Sequence, residues 1–204
     1  MKAGTFKGAK PTGAGPRRPN LRRVDAADQP AGTPQVAARR WIEAVMDNGD
    51  LRAAWPGTHP TLRLVLAQDW VWSHRHSSMI GHEQDWDGQK LDVPRLDAIA
   101  TGLAECPSSH DLWPPFSNEL IQRWNTIWKG FSARTWAPCD EPEVVGLDAE
   151  MVTFMEYNGR PSRFVAGRSD FVRRFAMHHE GGNWLVASVN GDQMFRPGWP
   201  PVVE

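Results

Sequence analysis

The chain has 204 residues, a mass of 22.9 kDa and a formal net charge of −1, which suits one domain with a sizeable core. Two cysteines, Cys106 and Cys139, provide no disulfide framework, and no run approaches the roughly 20 apolar residues of a membrane span. Collagen, coiled coils, disulfide scaffolds and membrane proteins are therefore excluded. We expect a soluble, cytoplasmic protein without a secretory leader.

The first 33 residues differ from the rest of the chain. They hold seven basic and two acidic residues, a net charge of +5, and their large apolar residues are Phe6, Leu21 and Val24. So little apolar surface cannot offset the entropy of ordering the chain. We predict a disordered basic tail over 1–33 and a single domain over 34–204. The tail is either a solubilising leader or an arm that binds nucleic acid or another polyanion.

The middle of the chain predicts helices. A hydroxyl cap followed by proline, Thr33-Pro34, starts the first one, and Asn48-Gly49 ends it. A second, largely buried helix is expected from Thr58 or Pro60 to about Trp72. Two further helices are predicted. One begins at Asp92, and the other begins at Ser117, whose hydroxyl is expected to cap it.

The last third alternates with a period of two residues. Between Leu147 and Tyr157, odd-numbered residues share one face and even-numbered residues the other, and Asn158-Gly159 predicts a tight turn. Further strands are expected in 162–167, 170–178 and 184–189, with a turn at 180–183. Helices followed by antiparallel hairpins indicate an α+β fold, with N-terminal helices packed on a curved antiparallel sheet.

This order of elements resembles the NTF2-like superfamily, which includes ketosteroid isomerase and SnoaL-type cyclases. The similar pieces are the first helix at 36–49, the Gly-x-Trp pattern at Gly182 to Trp184 and the alternating strand after it. The stretch from His82 to Ser117 is longer than the usual connection in that family. The resemblance implies a sheet that wraps a helix as a cone, an apolar pocket at its open end, and small-molecule binding, turnover or dimerisation.

The candidate chemistry begins in a His-rich segment after the second helix. His74 and His76, with His82 following, could hold a divalent metal, but they also suit a solvated loop. Asp69, His74 and Asp170 are the candidate proton carriers if the protein is an enzyme. No phosphate-cradling glycine motif is present, and we predict no cofactor.

Eleven tryptophans are more than a core of this size requires. Trp41, Trp70, Trp124 and Trp184 lie on predicted apolar faces and are expected in the core. The candidate pocket residues are Trp72, Trp128, Trp136 and Arg168. Surplus tryptophans are equally typical of a contact surface for another subunit.

Three functions remain open from the sequence. The first is a non-catalytic NTF2-like domain that binds a small apolar ligand or a protein partner, with a homodimer expected through its sheet. The second is an isomerase, cyclase or hydratase that works in the cone pocket. The third is association with nucleic acid through the basic tail.

Overall fold

The structure is a computed structural model. It describes residues 32–80, 92–138, 142–156, 172–189 and 195–203. The predicted basic tail, except its last two residues, lies outside the described residues. So do the predicted turn at Asn158-Gly159 and the predicted strand at 162–167. In the described ranges, no helix has the length and apolar character needed to cross a membrane.

The helices occupy the first two-thirds of the described chain. They are α1 (Pro34–Ile42), continued by a π-turn at Glu43–Asp47, then α2 (Leu51–Ala54), a 3₁₀ turn (Trp55–Gly57), α3 (Pro60–Ser73), α4 (Val93–Glu105) and α5 (Trp113–Ile127). As predicted, the Thr33 hydroxyl caps α1 by accepting a hydrogen bond from the Val36 amide (3.4 Å), and Pro34 follows it. Asp92 caps α4 through the Arg95 amide (3.2 Å). These starts follow from local chemistry, because a helix leaves its first amides without internal partners.

The predicted start of the last helix was wrong. Helix α5 begins at Trp113 and carries prolines at 114 and 115 in its first turn, where no amide is needed for a helical hydrogen bond. Ser117 is therefore inside the helix, and its hydroxyl donates to the carbonyl of Pro114 (3.2 Å) rather than capping the end.

Five strands form an antiparallel sheet. They are β1 (Trp136–Pro138), β2 (Glu143–Gly146), β3 (Ala149–Glu156), β4 (Val172–Glu180) and β5 (Asn183–Ser188). The order is β1-β3-β4-β5, and β2 also pairs with β3. Two short strands, β6 (Phe195–Arg196) and β7 (Val202–Val203), pair separately. Together with the helices this confirms the predicted α+β fold.

The sheet buries one of its faces against the helices. Val152 and Phe154 on β3, Phe175 and Met177 on β4, and Val186 on β5 are all buried. The even-numbered face of β3 is therefore the core face, and Met151 and Met155 on the other face are partly exposed. In the part of the chain that the structure describes, the core cluster extends in sequence from Ala38 to Val189.

Aromatic side chains fill the space between the sheet and the helices in the described part of the chain. Phe175 is surrounded by four rings, with centroid distances of 5.9 Å to Trp41, 6.2 Å to Trp128, 5.9 Å to Phe131 and 5.6 Å to Phe154. Most of these pairs meet edge to face, which is the favoured geometry for aromatic rings. Phe175 and the rings around it therefore form a closely packed aromatic cluster between the sheet and the helices.

The close approach of Gly102 on α4 to His110 gives a testable packing prediction. A Cβ at position 102 would lie 2.7 Å from Cδ2 of His110, whose Nδ1 accepts a hydrogen bond from the Leu112 amide (3.2 Å). Alanine normally stabilises a helix relative to glycine. Because the His110 ring is held in place, we expect Gly102→Ala to lower the free energy of unfolding by about 1–3 kcal/mol. Urea denaturation measures this, with Thr101→Ala as control, and a stabilised Gly102→Ala variant would contradict the prediction.

Candidate functional site

An open groove lies between α1 and the β4–β5 hairpin. Its volume is about 460 Å³, within the range of small-molecule sites. The floor and walls are mostly small or apolar, and the lining residues are Gly32, Thr33, Val36, Ala37, Arg40, Trp41, Ala53, Ala54, Pro56, Gly57, Gly182, Asn183, Trp184 and Leu185. We take this groove as the candidate functional site.

The helical side of the groove is fixed by the start of α1 and by the turn after α2. Trp41 forms the floor, and its ring N–H donates to the Thr58 hydroxyl (2.9 Å). That hydroxyl in turn donates to the carbonyl of Ala54 (3.0 Å). This chain of hydrogen bonds ties α1 to the segment that follows α2, so the apolar floor is held by buried polar contacts.

The sheet side of the groove is built by a tight hairpin. Gly181 and Gly182 have φ values of +57° and +81°, a left-handed conformation that glycine adopts without strain. The hairpin presents Trp184 to the groove, and the ring of Trp184 lies 4.8 Å from that of His179 on the neighbouring strand. Trp184 is partly exposed, so one part of its indole is available for a ligand.

The described lining of the groove is poor in titratable side chains. Among the described residues that line it, Arg40 is the only charged side chain, and neither a carboxylate nor an imidazole belongs to the lining. An exposed guanidinium beside an indole and small apolar side chains suits an apolar group with a negative charge. Proton shuttling would need a titratable pair that this lining lacks.

A histidine pair joins the start of α3 to strand β4. Nδ1 of His59 accepts the Thr61 amide at the start of α3 (3.3 Å), and its Nε2 lies 3.7 Å from a carboxylate oxygen of Glu180. The His59 ring is 5.1 Å from the ring of His178. Burial lowers the pKa of His59 below 6.5, with further lowering by His178 and Arg63 and an opposing effect of Glu180.

We expect the stability of the protein to fall as the pH drops below about 6.5. Because the folded state binds a proton at His59 less readily than the unfolded state, the unfolded state holds more protons in this range, and stability rises with pH. Protonation also removes the acceptor that caps α3. The measurement is the slope of the unfolding free energy against pH, compared with His59→Asn, which keeps a capping acceptor but does not titrate. Equal slopes for the two proteins would contradict this role of His59.

Two candidate proton carriers, Asp69 and His74, lie near the end of α3 and are not part of the groove lining. Asp69 receives a hydrogen bond from Arg123 on α5 (2.6 Å). The two ring nitrogens of His74 face the carbonyl of Trp70 (2.9 Å) and a carboxylate oxygen of Glu119 (3.1 Å). Glu119 also accepts the Trp70 ring N–H (2.9 Å). These contacts connect α3 to α5, so a structural role explains both side chains.

The remaining site predictions fall in different places. His76 is exposed, and no group of three His, Cys, Asp or Glu side chains in the described ranges is arranged to hold a metal ion. The third candidate ligand, His82, lies outside the described residues, as do Arg168 and Asp170. Of the three candidate proton carriers, the structure describes Asp69 and His74, which lie near the end of α3 and both contact α5.

The predicted pocket tryptophans lie in the core or on another surface. Trp128 and Trp136 are buried, and both pack against Phe131. Trp72 is partly exposed, but it lies under Arg75 (4.2 Å) and near Trp199 (6.4 Å) and does not line the groove.

Sequence reasoning missed the groove because its parts look ordinary. Trp184 was expected in the core and does pack against the core cluster, but part of its ring is also exposed to the groove; Arg40 was not singled out among the residues of α1. The available signal was the two-glycine turn just before Trp184, which brings this indole next to the first helix.

Comparisons of the chain with models of protein families, with curated proteins and with solved structures found no match.

Proposed function

We propose that the protein is a non-catalytic binding domain of the NTF2-like type, and that its groove receives an apolar group bearing or flanked by a negative charge. The observation that carries this proposal is the lining itself: among its described residues, Arg40 is the single charged side chain, and Trp184 and small apolar residues accompany it. The two cysteines without a disulfide framework favour a cytoplasmic location.

The two sides of the groove supply different parts of the recognition. Trp184 offers a large flat surface with little conformational entropy to lose, which favours stacking of an aromatic or aliphatic group. Arg40 offers several N–H donors that match a carboxylate, sulfonate or phosphate. A ligand that satisfies both is an amphipathic anion rather than a sugar or a cation.

The alternative of an isomerase, cyclase or hydratase has less support. Its candidate residues Asp69 and His74 are engaged in contacts between α3 and α5. Neither belongs to the groove lining, and so neither is placed to exchange protons with a molecule bound there.

Binding of a fluorescent amphipathic anion tests the proposal. We expect anilinonaphthalene sulfonate (ANS) to bind the dilute native protein saturably, and Trp184→Ala to weaken this binding about tenfold. We expect Arg40→Gln to weaken ANS binding without changing the binding of neutral N-phenylnaphthylamine, because only the sulfonate needs the guanidinium. Fluorescence titration gives the dissociation constants, and near-ultraviolet circular dichroism confirms that each variant stays native.

Two matched variants serve as controls. Arg39→Gln removes the neighbouring guanidinium, and Trp72→Leu removes a partly exposed indole elsewhere; neither residue lines the groove. Both should bind ANS like the original protein. Binding that is unchanged by Trp184→Ala and Arg40→Gln would place the ANS site elsewhere and overturn the proposal.

A further inference from the structure

Strand β2 and the turn that joins it to β3 expose three large apolar side chains, which we call the finger. Its members are Val144, Val145 and Leu147, with exposed fractions of 73%, 51% and 95%. Among the described residues, Leu147 and Val144 are the most exposed of the large apolar side chains. Isolated exposed apolar residues are common, but three within four positions of one hairpin are typical of a contact surface.

The finger and the groove lie at the same end of the sheet. Strand β3 begins beside the finger and pairs antiparallel with the end of β4, where Ala149 is opposite His178. The His179 amide donates to the carbonyl of Asp148 in the finger turn (2.7 Å). Two residues further along β4, the chain turns at Gly181-Gly182 into β5 and the groove. One end of the sheet therefore carries both the exposed hairpin and the groove.

The charges of the two features are complementary. Glu143 and Asp148 flank the finger and are exposed, whereas Arg40 is the charged residue of the groove and is exposed as well. The finger thus has the chemistry that the groove selects, namely apolar side chains beside negative charge. In an antiparallel two-fold dimer, one patch that contains both a projection and its matching recess makes the same contact twice.

We propose that the groove of each molecule receives the finger of a second copy, so that two chains form a symmetric dimer through reciprocal exchange. This inference rests on the proposed function of the groove as a site for apolar groups with negative charge. Leu147 enters between Trp184 and α1, and Glu143 and Asp148 approach Arg40. The partner is thus the same chain, bound at the hairpin end and not through the open face of the sheet.

Light scattering coupled to gel filtration of the full chain tests the oligomeric state. We expect a mass of twice 22.9 kDa for the original protein and of 22.9 kDa for Leu147→Glu. Since Leu147 is 95% exposed, its replacement does not disturb the core. Ile127→Glu, at an exposed position on α5 away from the finger, is the matched control and should remain dimeric. A monomeric original protein, or a dimeric Leu147→Glu, would overturn the inference.

The groove side of the contact is tested by charge reversal. Arg40→Glu should weaken dimerisation at least tenfold, and the double variant Arg40→Glu/Glu143→Arg should recover much of it. If Arg40→Glu leaves the dimer unchanged while Leu147→Glu breaks it, the fingers pair with each other and the inference fails. If Met151→Glu on the open sheet face breaks the dimer and Leu147→Glu does not, the interface is that face and the inference fails.

The experiments distinguish the dimer hypothesis from the hypothesis that the groove binds amphipathic anions. Leu147→Glu leaves the groove vacant, so this variant should bind ANS more tightly than the dimeric protein does. A monomeric original protein that binds ANS in an Arg40-dependent manner would reject the dimer and retain the proposed function. Absence of Arg40-dependent ANS binding in the monomeric Leu147→Glu variant would reject the groove as a binding site.

Discussion

Replacing Phe175 with alanine is expected to lower the free energy of unfolding by about 3–5 kcal/mol. Phe175 is fully buried in the middle of β4, and four aromatic rings from α1, β3 and the segment after α5 pack around it. Rigid rings on every side cannot collapse into the space that the phenyl group leaves, so most of the cavity remains. A loss of this size is a large share of the 5–15 kcal/mol typical of a natural domain.

Urea denaturation followed by circular dichroism measures the effect of Phe175→Ala. The control is Ile127→Ala, which removes an apolar side chain that is more than half exposed and should change stability by less than about 0.5 kcal/mol. A loss below about 1 kcal/mol for Phe175→Ala would show that the aromatic cluster is not packed as described.

Replacing Trp55 is expected to separate the contribution of ring packing from that of a buried hydrogen bond. Trp55 is buried between Trp113 and Phe116, at 5.1 and 5.7 Å, and its ring N–H donates to the carbonyl of Ala104 at the end of α4 (2.9 Å). We expect Trp55→Ala to cost about 3–5 kcal/mol, since both the ring contacts and the hydrogen bond are lost.

Trp55→Phe keeps an aromatic ring but leaves the Ala104 carbonyl without its indole partner. We expect this variant to cost about 1–3 kcal/mol, an intermediate loss. Trp72→Phe is the control, because Trp72 is partly exposed and the described structure gives its ring N–H no hydrogen bond to a buried carbonyl. If Trp55→Phe were as destabilising as Trp55→Ala, the hydrogen bond and not the ring packing would account for most of the stabilisation by Trp55. If Trp55→Phe were as stable as the original protein, the hydrogen bond would contribute nothing measurable.

The helices were predictable where their ends depend on local chemistry. Thr33-Pro34 and Asp92 start helices in the structure as they do in sequence reasoning, because the capping side chain and the amides that it serves are neighbours. The start of α5 was missed because the Pro114-Pro115 pair was not treated as a first turn. Ser117 carries a hydroxyl that could cap a helix, so the sequence alone favoured it as the start.

The faces of the sheet were harder to assign. The alternation in β3 indicated two faces, but Met151 and Met155 on one side are as apolar as Val152 and Phe154 on the other. Only pairing with Phe175 and the helices decides which face is buried, and that is a tertiary effect. The surplus of tryptophan had the same ambiguity, since Trp128 and Trp136 are buried in the core, whereas Trp184 packs against the core and also lines the groove.

The short bridge between Thr58 and Val186 joins segments that lie far apart in the chain. The His59 amide donates to the carbonyl of Val186 (2.9 Å), and α1 packs against β5. During synthesis on a ribosome, the early helices therefore leave the exit tunnel long before the strand that covers them exists. The indole of Trp41 and its neighbours therefore remain uncovered until β5 has been synthesised, and contacts of this range form slowly.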